Sequence, residues 1–359
     1  MSETVRAALA AVVEGRKLSM EEAHAAMGSV MDGEATPAQL AALLVSLRMR
    51  GETVEELAGF ARAMRERVLR VEAPEGAIDT CGTGGDKSGT INVSTAAALV
   101  VAAAGVPVAK HGNRAMTSAC GSADVLEALG IAIDLDPQEA AVALREYNFA
   151  FLFAQGYHPA MKHAGPTRKE IGVRTAFNLL GPMTNPAGAK RQMIGVGDPA
   201  LAEKIAEVLR LLGVERALVV HGANIDELPL DGSGVMFGIT PQGVARQRVV
   251  AEELGLTAAP MDALKGGNPA ENAAALESVL NGEPGPRRDV VLLNAAAAFL
   301  VAGRVENLRD GIALARTTID DGLARELLAR LRAAKTARDE AKSAAEAVAE
   351  KAAVQGAPA

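Results

Sequence analysis

The sequence predicts an α/β protein that carries a separate small all-α domain at its N-terminal end. Two observations support this fold class. Residues 1–75 show only helical patterns, and from residue 76 onward strand-like runs alternate with helices. Such alternation is typical of a largely parallel central sheet flanked by helices. The chain has 359 residues, which is enough for about two domains.

Helix-start signals define the N-terminal domain. In a capping box, a hydroxyl residue and a Glu or Gln three positions later satisfy each other's backbone N–H groups. The three candidate boxes are Ser19 with Glu22, Thr36 with Gln39, and Thr53 with Glu56. No chemistry is apparent in this segment. We therefore predict that residues 1–75 form a structural or subunit-contact domain, completed by the segment of about 165–190.

The α/β domain is predicted to span residues 76–336. Its alternating pattern lapses in Pro159–Lys190, which is rich in Pro, Gly, Asn and Thr. The predicted strands are Ile78–Cys81, Val106–Lys110, Phe149–Phe153, Gln192–Val196 and Ala217–Val220. The predicted helices are Ser94–Ala104, Ala123–Leu129, one capped by Asp136, Leu201–Leu212, one from Pro269, Asp289–Ala302 and Leu308–Leu331. For the Ala/Glu/Lys-rich tail, residues 337–359, we expect a frayed helix or disorder.

Composition argues against several classes of protein. The net charge is −7 and no basic stripe is visible, so nucleic acid is not an expected partner. The two cysteines, Cys81 and Cys120, make neither a disulfide framework nor a zinc motif, which fits a reducing, cytoplasmic setting. The first residues lack the apolar run of a signal peptide. The longest small-apolar run, Ala96–Ala109, is too short for a membrane span of about 20 residues.

A glycine-rich run, CGTGGD at 81–86, follows the first predicted strand. Glycines at this place allow a sharp turn that aims several N–H groups at one anion. Ligands of open parallel sheets bind at this carboxyl edge. The run matches neither GxxxxGK[ST] nor GxGxxG, so a P-loop ATPase or a dinucleotide site is not supported. A glycine cluster by itself is equally compatible with a plain tight turn.

Polar residues at the next helix strengthen the anion interpretation. Thr90, Asn92, Ser94 and Thr95 surround the start of an apolar helix. Ser94 or Thr95 is a suitable N-cap, and helix N-termini bind anions. Because capping needs only one hydroxyl residue, the others are available for a ligand.

A second polar loop, KHGNR at 110–114, follows the second predicted strand. Two cations and two hydrogen-bonding side chains at the same sheet edge suit a phosphate or diphosphate. Thr117, Ser118 and Ser122 follow before the next helix, which carries Asp124 at its start. A solvated charged loop is the alternative.

Asp226 and Glu227 follow the predicted strand Ala217–Val220. Mg²⁺ is usually held by one or two carboxylates together with phosphate oxygens of a substrate. These adjacent acids therefore predict a magnesium site, and an acidic surface turn is the alternative. Residue type alone assigns no role to His158 or Arg168.

The sequence resembles the anthranilate phosphoribosyltransferases. The motifs that carry the resemblance, in order along about residues 18–336, are GTGGD, TINVST, KHGNRAMTSACGSADVLEALG, HPAM, RTAFNLLGPMTNPA and IDE. The resemblance implies a nucleoside phosphorylase-like, class IV transferase fold and a homodimer formed through the helical domain. It also implies the tryptophan-biosynthesis reaction in which the phosphoribosyl group of 5-phosphoribosyl 1-diphosphate passes to anthranilate, giving N-(5-phosphoribosyl)anthranilate and diphosphate.

The resemblance also implies roles for particular residues. Residues matching the phosphoribosyl-diphosphate site are Gly82, Gly85, Asp86, Thr90, Asn92, Val93, Ser94, Thr95, Lys110, His111, Gly112, Asn113, Arg114, Ala115, Met116, Thr117, Ser118 and Ser122. Residues matching ligands of the Mg²⁺ cofactor are Ser94, Asp226 and Glu227. Residues matching the anthranilate positions are Gly82, Asn113 and Arg168, with His111 and His158 nearby. No residue stands out as a covalent nucleophile.

The sequence departs from the family pattern at two places. Ala119 and Cys120 stand where many members have Lys and Ser, which removes a possible phosphate contact. Asn224 and Ile225 stand where Gly-Leu is common, which could change the turn of the metal loop.

Two other functions remain as alternatives. A pyrimidine nucleoside phosphorylase would share the fold, but Asn113, Arg168 and the Asp226–Glu227 pair argue against it. A non-catalytic relative that binds nucleic acid or a ligand is disfavoured by the acidic balance and the intact carboxylate pair.

Overall fold

The computed structural model describes residues 1–86, 88–115, 119–222 and 225–355, with side chains described as far as residue 347. The helices are α1 (Glu3–Val13), α2 (Met20–Met31), α3 (Pro37–Arg50), α4 (Val54–Arg65), α5 (Val93–Ala103), α6 (Ser122–Ala128), α7 (Pro137–Tyr147), α8 (Ala154–Tyr157), α9 (Gly165–Ile171), α10 (Phe177–Leu180), α11 (Pro199–Leu211), α12 (Pro269–Leu280), α13 (Pro286–Ala302), α14 (Leu308–Asp320) and α15 (Leu323–Gln355). The strands are β1 (Ile78–Gly82), β2 (Val108–Gly112), β3 (Phe149–Phe153), β4 (Arg191–Gly195), β5 (Arg216–His221), β6 (Gly234–Thr240) and β7 (Gly243–Val249). Short 3-10 helices cover Pro159–His163, Gly181–Met183, Glu252–Leu254 and Met261–Leu264. No helix within these ranges combines the length and apolar character that a membrane crossing requires.

The strands of the described ranges form one sheet in the order β3-β2-β1-β4-β5-β6-β7. Strands β1 to β5 pair in parallel, and β6 and β7 are antiparallel. The predicted largely parallel sheet is therefore confirmed. The β6–β7 hairpin has no counterpart among the predicted strands. Strand β7 exposes Arg246, Gln247 and Arg248, which suits a sheet edge because charged side chains discourage pairing with another chain.

Both faces of the sheet are covered because successive side chains of a strand point to opposite sides. In β5, Leu218 and Val220 belong to a core shared with α5 and α13. The alternate residues Ala217 and Val219 belong to a second core shared with α11 and the N-terminal helices. Burial on both faces explains why the parallel strands are nearly continuous apolar runs.

The N-terminal helices α1 to α4 pack together against α11 and that second face. All three predicted capping boxes are confirmed. Glu56 of the third box is fully buried, accepts from Leu18 N at 2.8 Å and pairs with Arg50. One carboxylate thus joins the ends of three helices. The division of the chain at residue 75 stays a prediction.

The stretch Pro159–Lys190 is less irregular than its sequence suggests, since it contains α9, α10 and two 3-10 helices. Side chains from three elements bind three consecutive carbonyls of the stretch: Gly181 O accepts from His111 Nδ1 (3.0 Å), Pro182 O from Gln192 Nε2 (2.9 Å) and Met183 O from Arg65 Nε (2.6 Å). These bonds tie the stretch to β2, β4 and α4. Because these side chains satisfy backbone carbonyls of the stretch, it keeps its place in the fold without the periodic apolar pattern of a long helix or strand.

One prediction near the C-terminus needs correction. The helix expected over Leu308–Leu331 is two helices, because Gly322 has φ of 80° and ends the first run in a conformation that glycine adopts readily. For the tail, the expectation was a frayed helix or disorder; the described part is helical, continues α15 as far as Gln355 and agrees with the first of these alternatives. Arg338 anchors this helix through ion pairs to Asp134 and Glu139. Residues 356–359 lie outside the described residues.

Candidate substrate and metal site

The carboxyl ends of β1 and β4 lie where the chain changes direction across the sheet. From β1 the chain builds β2 and β3 on one side, and β4 and β5 lie on the other. In open parallel sheets such a switch point opens a crevice in which ligands bind. Strands β1 and β4 end side by side at Gly82 and Gly195. The predicted glycine-rich loop therefore starts at the switch point.

Gly82 and Gly195 make room for a carboxylate. A Cβ atom on either glycine would collide with Asp226. The Oδ2 atom of Asp226 accepts a hydrogen bond from Gly84 N at 3.0 Å. Gly84 and Gly85 have φ of 63° and 71°, where glycine is strongly favoured. The glycine run thus both turns the chain and allows Asp226 to approach closely.

Glu227 lies at the N-terminal end of α5. Its Oε1 atom accepts from Ser94 N at 2.9 Å, and so takes up one of the N–H groups that a helix start leaves free. The predicted N-caps Ser94 and Thr95 are wrong: the cap position is Asn92, whose side chain makes no capping bond. An acid from a distant loop occupies the place that a capping hydroxyl would fill. The predicted metal residues Ser94 and Glu227 are therefore in contact, next to Asp226.

Lys110 is buried beneath this edge and is 1% exposed. Its Nζ donates to Thr80 O and lies 3.4 Å from Ser94 Oγ. Burial lowers the pKa of the Lys110 amine, while the nearby Asp79 carboxylate opposes that shift. Lys110 therefore lies behind Ser94, with its amine below the crevice.

Asp226 and Glu227 form an acidic pair that suits a hard cation. Burial raises the pKa of both carboxyls, and Asp86 adds to the effect at Asp226. Within the described residues, no three His, Cys, Asp or Glu side chains form a complete metal cluster. Two carboxylates and the Ser94 hydroxyl are nevertheless the oxygen donors that Mg²⁺ prefers. The residues fit a Mg²⁺ ion that takes its other ligands from water or from a phosphate-bearing substrate.

The other predicted phosphate residues of this loop lie around Ser88. Asp86 Oδ1 accepts from Ser88 N at 3.2 Å, and Thr90 Oγ1 lies 3.2 Å from Ser88 Oγ. Val93 and Thr95 are buried in the first turn of α5. Thr95 Oγ1 has no hydrogen-bond partner among the described residues. Asp86 and Thr90 thus lie on a loop closed by local bonds.

Asp124 in the first turn of α6 binds described residues of the segment that follows β2. Asp124 Oδ2 accepts from Ala115 N and Gly121 N, both at 2.9 Å, which confirms Asp124 as a helix-start residue. Its other oxygen pairs with Arg114, and Glu127 binds the same guanidinium. Arg114, predicted to contact phosphate, is therefore held by two carboxylates in this structure.

Asn113 follows Gly112 at the end of β2 and is exposed. Its carbonyl accepts from Ser122 Oγ at 3.3 Å, and its side-chain oxygen accepts from Arg114 N at 2.8 Å. Among the described residues, the side-chain amide of Asn113 makes no hydrogen bond to another side chain. Predicted site residues that lie outside the described residues are Met116, Thr117 and Ser118.

A relay of amide groups joins the two polar loops. Asn272 of α12 accepts from Gly267 N at 2.7 Å, so its Nδ2 is the donor to Asn92 Oδ1 at 2.8 Å. Asn92 Nδ2 in turn donates to Cys120 O at 3.2 Å. Each bond fixes the orientation of the next amide. The start of α5 and the end of the second loop are therefore held together through Asn272.

His111 and His158 form a buried pair on the other side of β2. Their Nε2 atoms lie 3.2 Å apart, and His111 Nδ1 lies 3.0 Å from Gly181 O. Since a carbonyl only accepts, His111 carries its proton on Nδ1, and His158 donates from Nε2. Burial lowers the pKa of His111 to about 3 and that of His158 to about 4. Both rings are therefore neutral near pH 7.

Arg168 on α9 is a half-buried cation. Its guanidinium stacks over the ring of Phe177 at 4.8 Å, and burial lowers its pKa. Among the described residues it has no carboxylate partner and no side-chain hydrogen bond. No such bond joins it to Asn113 or Gly82 either, so the structure does not connect the predicted anthranilate residues directly. The guanidinium is free to bind an anionic group.

Three residues of this region were missed in the sequence. Arg174 donates to Gly84 O and Gly85 O, both at 3.3 Å, and so holds the glycine-rich loop from the opposite side. Asn272 and Asn294 are fully buried and bind the loops of the site. Asn294 is a polar residue within an apolar helical run, which is a signal that sequence analysis could use, whereas Asn272 follows Glu271 near the start of its helix and stands out less. Arg174 is the first residue of the motif RTAFNLLGPMTNPA, so the family resemblance was the signal that could have identified it.

Neither cysteine is a reactive thiol. Burial raises the pKa of the Cys81 thiol well above its usual value and that of Cys120 to about 11. A thiol with a raised pKa is a poor nucleophile near pH 7 because little thiolate forms. This agrees with the expectation that neither takes part in covalent chemistry.

Comparison with known proteins gives a consistent result. The profile described as "Glycosyl transferase family, helical bundle domain" matches residues 6–68, and the profile described as "Glycosyl transferase family, a/b domain" matches residues 74–325. The chain is 55% identical over 330 residues to the anthranilate phosphoribosyltransferase of Symbiobacterium thermophilum, covering 91% of this chain and 97% of the relative. This chain belongs to the anthranilate phosphoribosyltransferase family. The enzyme of that name from Chloroflexus aurantiacus is 53% identical over 327 residues, covering 90% of this chain and 96% of the relative.

Solved structures of the anthranilate phosphoribosyltransferase family have the same fold. The crystal structure from Thermus thermophilus matches with a TM-score of 0.86 and 47% identity, covering 92% of this chain and 99% of that one. A Saccharomyces cerevisiae structure, in complex with PRPP and Mg, matches with a TM-score of 0.84 and 25% identity, covering 94% and 99%. The predicted helical domain followed by an α/β domain is thus shared with the family.

Two departures from the family pattern lie close to the site. Cys120 contributes its carbonyl to the amide relay, so the changed side chain leaves that bond in place. Ile225 is fully buried, and its carbonyl accepts from Gly222 N at 3.0 Å. Ala119 is exposed, and Asn224 lies outside the described residues.

Proposed function

We propose that this protein transfers the phosphoribosyl group of 5-phosphoribosyl 1-diphosphate to anthranilate, giving N-(5-phosphoribosyl)anthranilate and diphosphate in tryptophan biosynthesis. The observation that carries this proposal is the meeting of the glycine-rich loop, the start of α5 and the carboxylates Asp226 and Glu227 at one sheet edge. In the reaction the bond from the sugar C1 to a diphosphate oxygen breaks, a bond from C1 to the amine nitrogen forms, and the amine releases one proton.

Ser94, Asp226 and Glu227 are the residues that would hold Mg²⁺. When bound, Mg²⁺ would neutralise the charge that builds on the departing diphosphate. Glu227 is already oriented by Ser94 N, and Asp226 by Gly84 N. These carboxylates are therefore set in place by the protein before any substrate enters.

The two polar loops would bind the phosphoribosyl diphosphate itself. The N–H groups in the first turn of α5 are already bonded, that of Ser94 to Glu227 and its neighbours to backbone carbonyls. The donors to phosphate oxygens would therefore come mainly from the glycine-rich loop, while the N-terminus of α5 favours negative charge through its dipole. The Lys110 amine lies beneath this end of α5. The amine of anthranilate is neutral at pH 7 and can attack without prior deprotonation. Rate enhancement would then come mainly from positioning and electrostatics.

Arg168 would bind the carboxylate of anthranilate. Its guanidinium is half-buried and lacks a described carboxylate partner, so an incoming carboxylate would supply the missing charge. Hydrogen bonds to charged groups contribute about 1.5–3 kcal/mol, which corresponds to about 10- to 100-fold in binding. We expect Arg168→Ala to raise the KM for anthranilate by this factor and to leave the KM for phosphoribosyl diphosphate unchanged. Lys169→Ala, which changes the exposed neighbour on the same helix, is the control; equal anthranilate kinetics in the two variants would exclude the role.

The proposed reaction can be tested directly. Protein, Mg²⁺, anthranilate and phosphoribosyl diphosphate are mixed, and the loss of anthranilate fluorescence is followed. We expect the anthranilate fluorescence to fall, and the amount of diphosphate released to equal the amount of anthranilate consumed. Unchanged fluorescence together with phosphate-dependent cleavage of a pyrimidine nucleoside would instead identify a nucleoside phosphorylase.

A homodimer in a reducing, cytoplasmic setting belongs to the same proposal. The N-terminal helices expose the apolar side chains of Val13, Val45 and Met49, which suits a contact between subunits. Both cysteines are free and buried. Sedimentation of the purified protein as a monomer at micromolar concentration would exclude the dimer.

A further inference from the structure

Asn294 is a fully buried polar residue in the apolar middle of α13. Its neighbours along the helix, from Val290 to Phe299, are buried and apolar. An amide group left unpaired in such surroundings is unfavourable, so its hydrogen-bond partners indicate what it is for.

The amide of Asn294 binds both main-chain polar groups of Leu228. Oδ1 accepts from Leu228 N at 3.0 Å, and Nδ2 donates to Leu228 O at 2.9 Å. The second hydrogen of Nδ2 goes to Val290 O at 2.9 Å. Leu228 belongs to no strand, so no sheet ladder satisfies its backbone. One side chain therefore fixes the peptide groups on both sides of Leu228.

The nitrogen of Leu228, which Asn294 binds, belongs to the peptide group that joins Glu227 to Leu228. Fixing that peptide plane sets the direction in which the Glu227 side chain leaves the backbone. Asn294, Glu227 and Ser94 also line the same small cavity beneath the site. Asn294 thus lies directly behind the carboxylate whose Oε1 accepts from Ser94 N.

We propose that Asn294 is a positioning residue for the cation-binding carboxylates, holding Glu227 and the adjacent Asp226 ready for a divalent ion. It touches neither ion nor substrate and acts through the backbone of Leu228. Groups that orient metal ligands in this way are worth about 10- to 100-fold in metal affinity. The inference rests on the proposed function, since it assumes that this carboxylate pair binds a cation.

Mn²⁺ binding, measured without turnover, tests this role. Free Mn²⁺ is quantified by electron paramagnetic resonance in the presence of inorganic diphosphate, for the wild type and for Asn294→Leu. We expect the apparent Kd for Mn²⁺ to rise about 10- to 100-fold in the variant. Val291→Ala, on the same helix and equally buried, is the control: it should lower the melting temperature and leave the Kd unchanged.

Other outcomes have defined meanings. A folded Asn294→Leu variant with the wild-type Kd would overturn the inference, as would a wild-type protein that does not bind Mn²⁺. If Asn294→Leu does not fold, Asn294→Thr takes its place, because its shorter side chain carries one oxygen where the amide offers a separate oxygen and nitrogen to Leu228. An unchanged Kd in that variant overturns the inference equally. Wild-type protein that binds Mn²⁺ but shows no transferase activity would refute the proposed function. The Kd values of the wild type and the variant for Mn²⁺ could still be compared in that case.

Discussion

The buried pair of His111 and His158 should make the stability of this fold depend on pH. Burial lowers the pKa of His158 to about 4, from an ordinary value of 6.5. Below pH 6.5 the unfolded chain takes up a proton on this ring, and the folded chain does not. The contribution of His158 to the free energy of unfolding is therefore fully retained above pH 6.5 and declines as the pH falls toward 4.

The size of the effect follows from these two values. At pH 5 the unfolded histidine is 1.5 pH units below its pKa of 6.5, and the folded one is still neutral. At 1.36 kcal/mol per unit, His158 should lower the free energy of unfolding by about 2 kcal/mol between pH 8 and pH 5. His158→Gln removes this proton uptake and keeps an amide N–H that can donate to His111 Nε2. The variant should therefore lose about 2 kcal/mol less than the wild type over this range.

Urea unfolding followed by circular dichroism at pH 5, 6, 7 and 8 measures the difference, since the chain has no Trp for fluorescence. His163→Gln, which changes an exposed histidine, is the control and should follow the wild type. Burial raises the pKa of Asp79 to about 6 and gives a slope of the opposite sign, but it is common to all three proteins. Equal pH dependence of the wild type and His158→Gln would refute the reasoning.

Two further substitutions test the site. Asp226→Asn removes the half-buried carboxylate beside buried Glu227, so the Mg²⁺ concentration for half-maximal activity should rise at least about 10-fold. Because burial raises the pKa of the Asp226 carboxyl, thermal stability without metal should stay equal or increase. A Mg²⁺ titration that matches the wild type would argue against the metal assignment. Asn272→Leu leaves Gly267 N and Asn92 Oδ1, two half-buried groups, without their partner, which costs at most about 1–3 kcal/mol for each group. It should therefore raise the KM for phosphoribosyl diphosphate about 10-fold and leave the KM for anthranilate unchanged. Steady-state kinetics with each substrate varied in turn measures the two KM values, and an equal rise in both would contradict this role.

Local chemistry made part of the fold predictable. The capping boxes depend on residues three positions apart, so Ser19, Thr36 and Thr53 could be recognised without tertiary contacts. The β6–β7 hairpin and the break at Gly322 were missed. The hairpin strand β7 has a mostly polar, exposed face, and a single glycine between two apolar helices leaves their periodic pattern nearly continuous.

The sequence by itself determined the fold class and the chemical types of residue at the sheet edge, because glycine turns, hydroxyls and adjacent acids are local patterns. Only the tertiary structure decided how these residues serve one another. Glu227 binds the N-terminus of α5 from 133 positions along the chain, Asn294 fixes the backbone beside it, and Lys110 lies beneath rather than within the crevice. Such pairings arise between strands, helices and loops that the fold brings together although they are distant in sequence. A local sequence pattern cannot predict these contacts, because hydrogen bonds and charges act over a few ångströms of space and not along the chain.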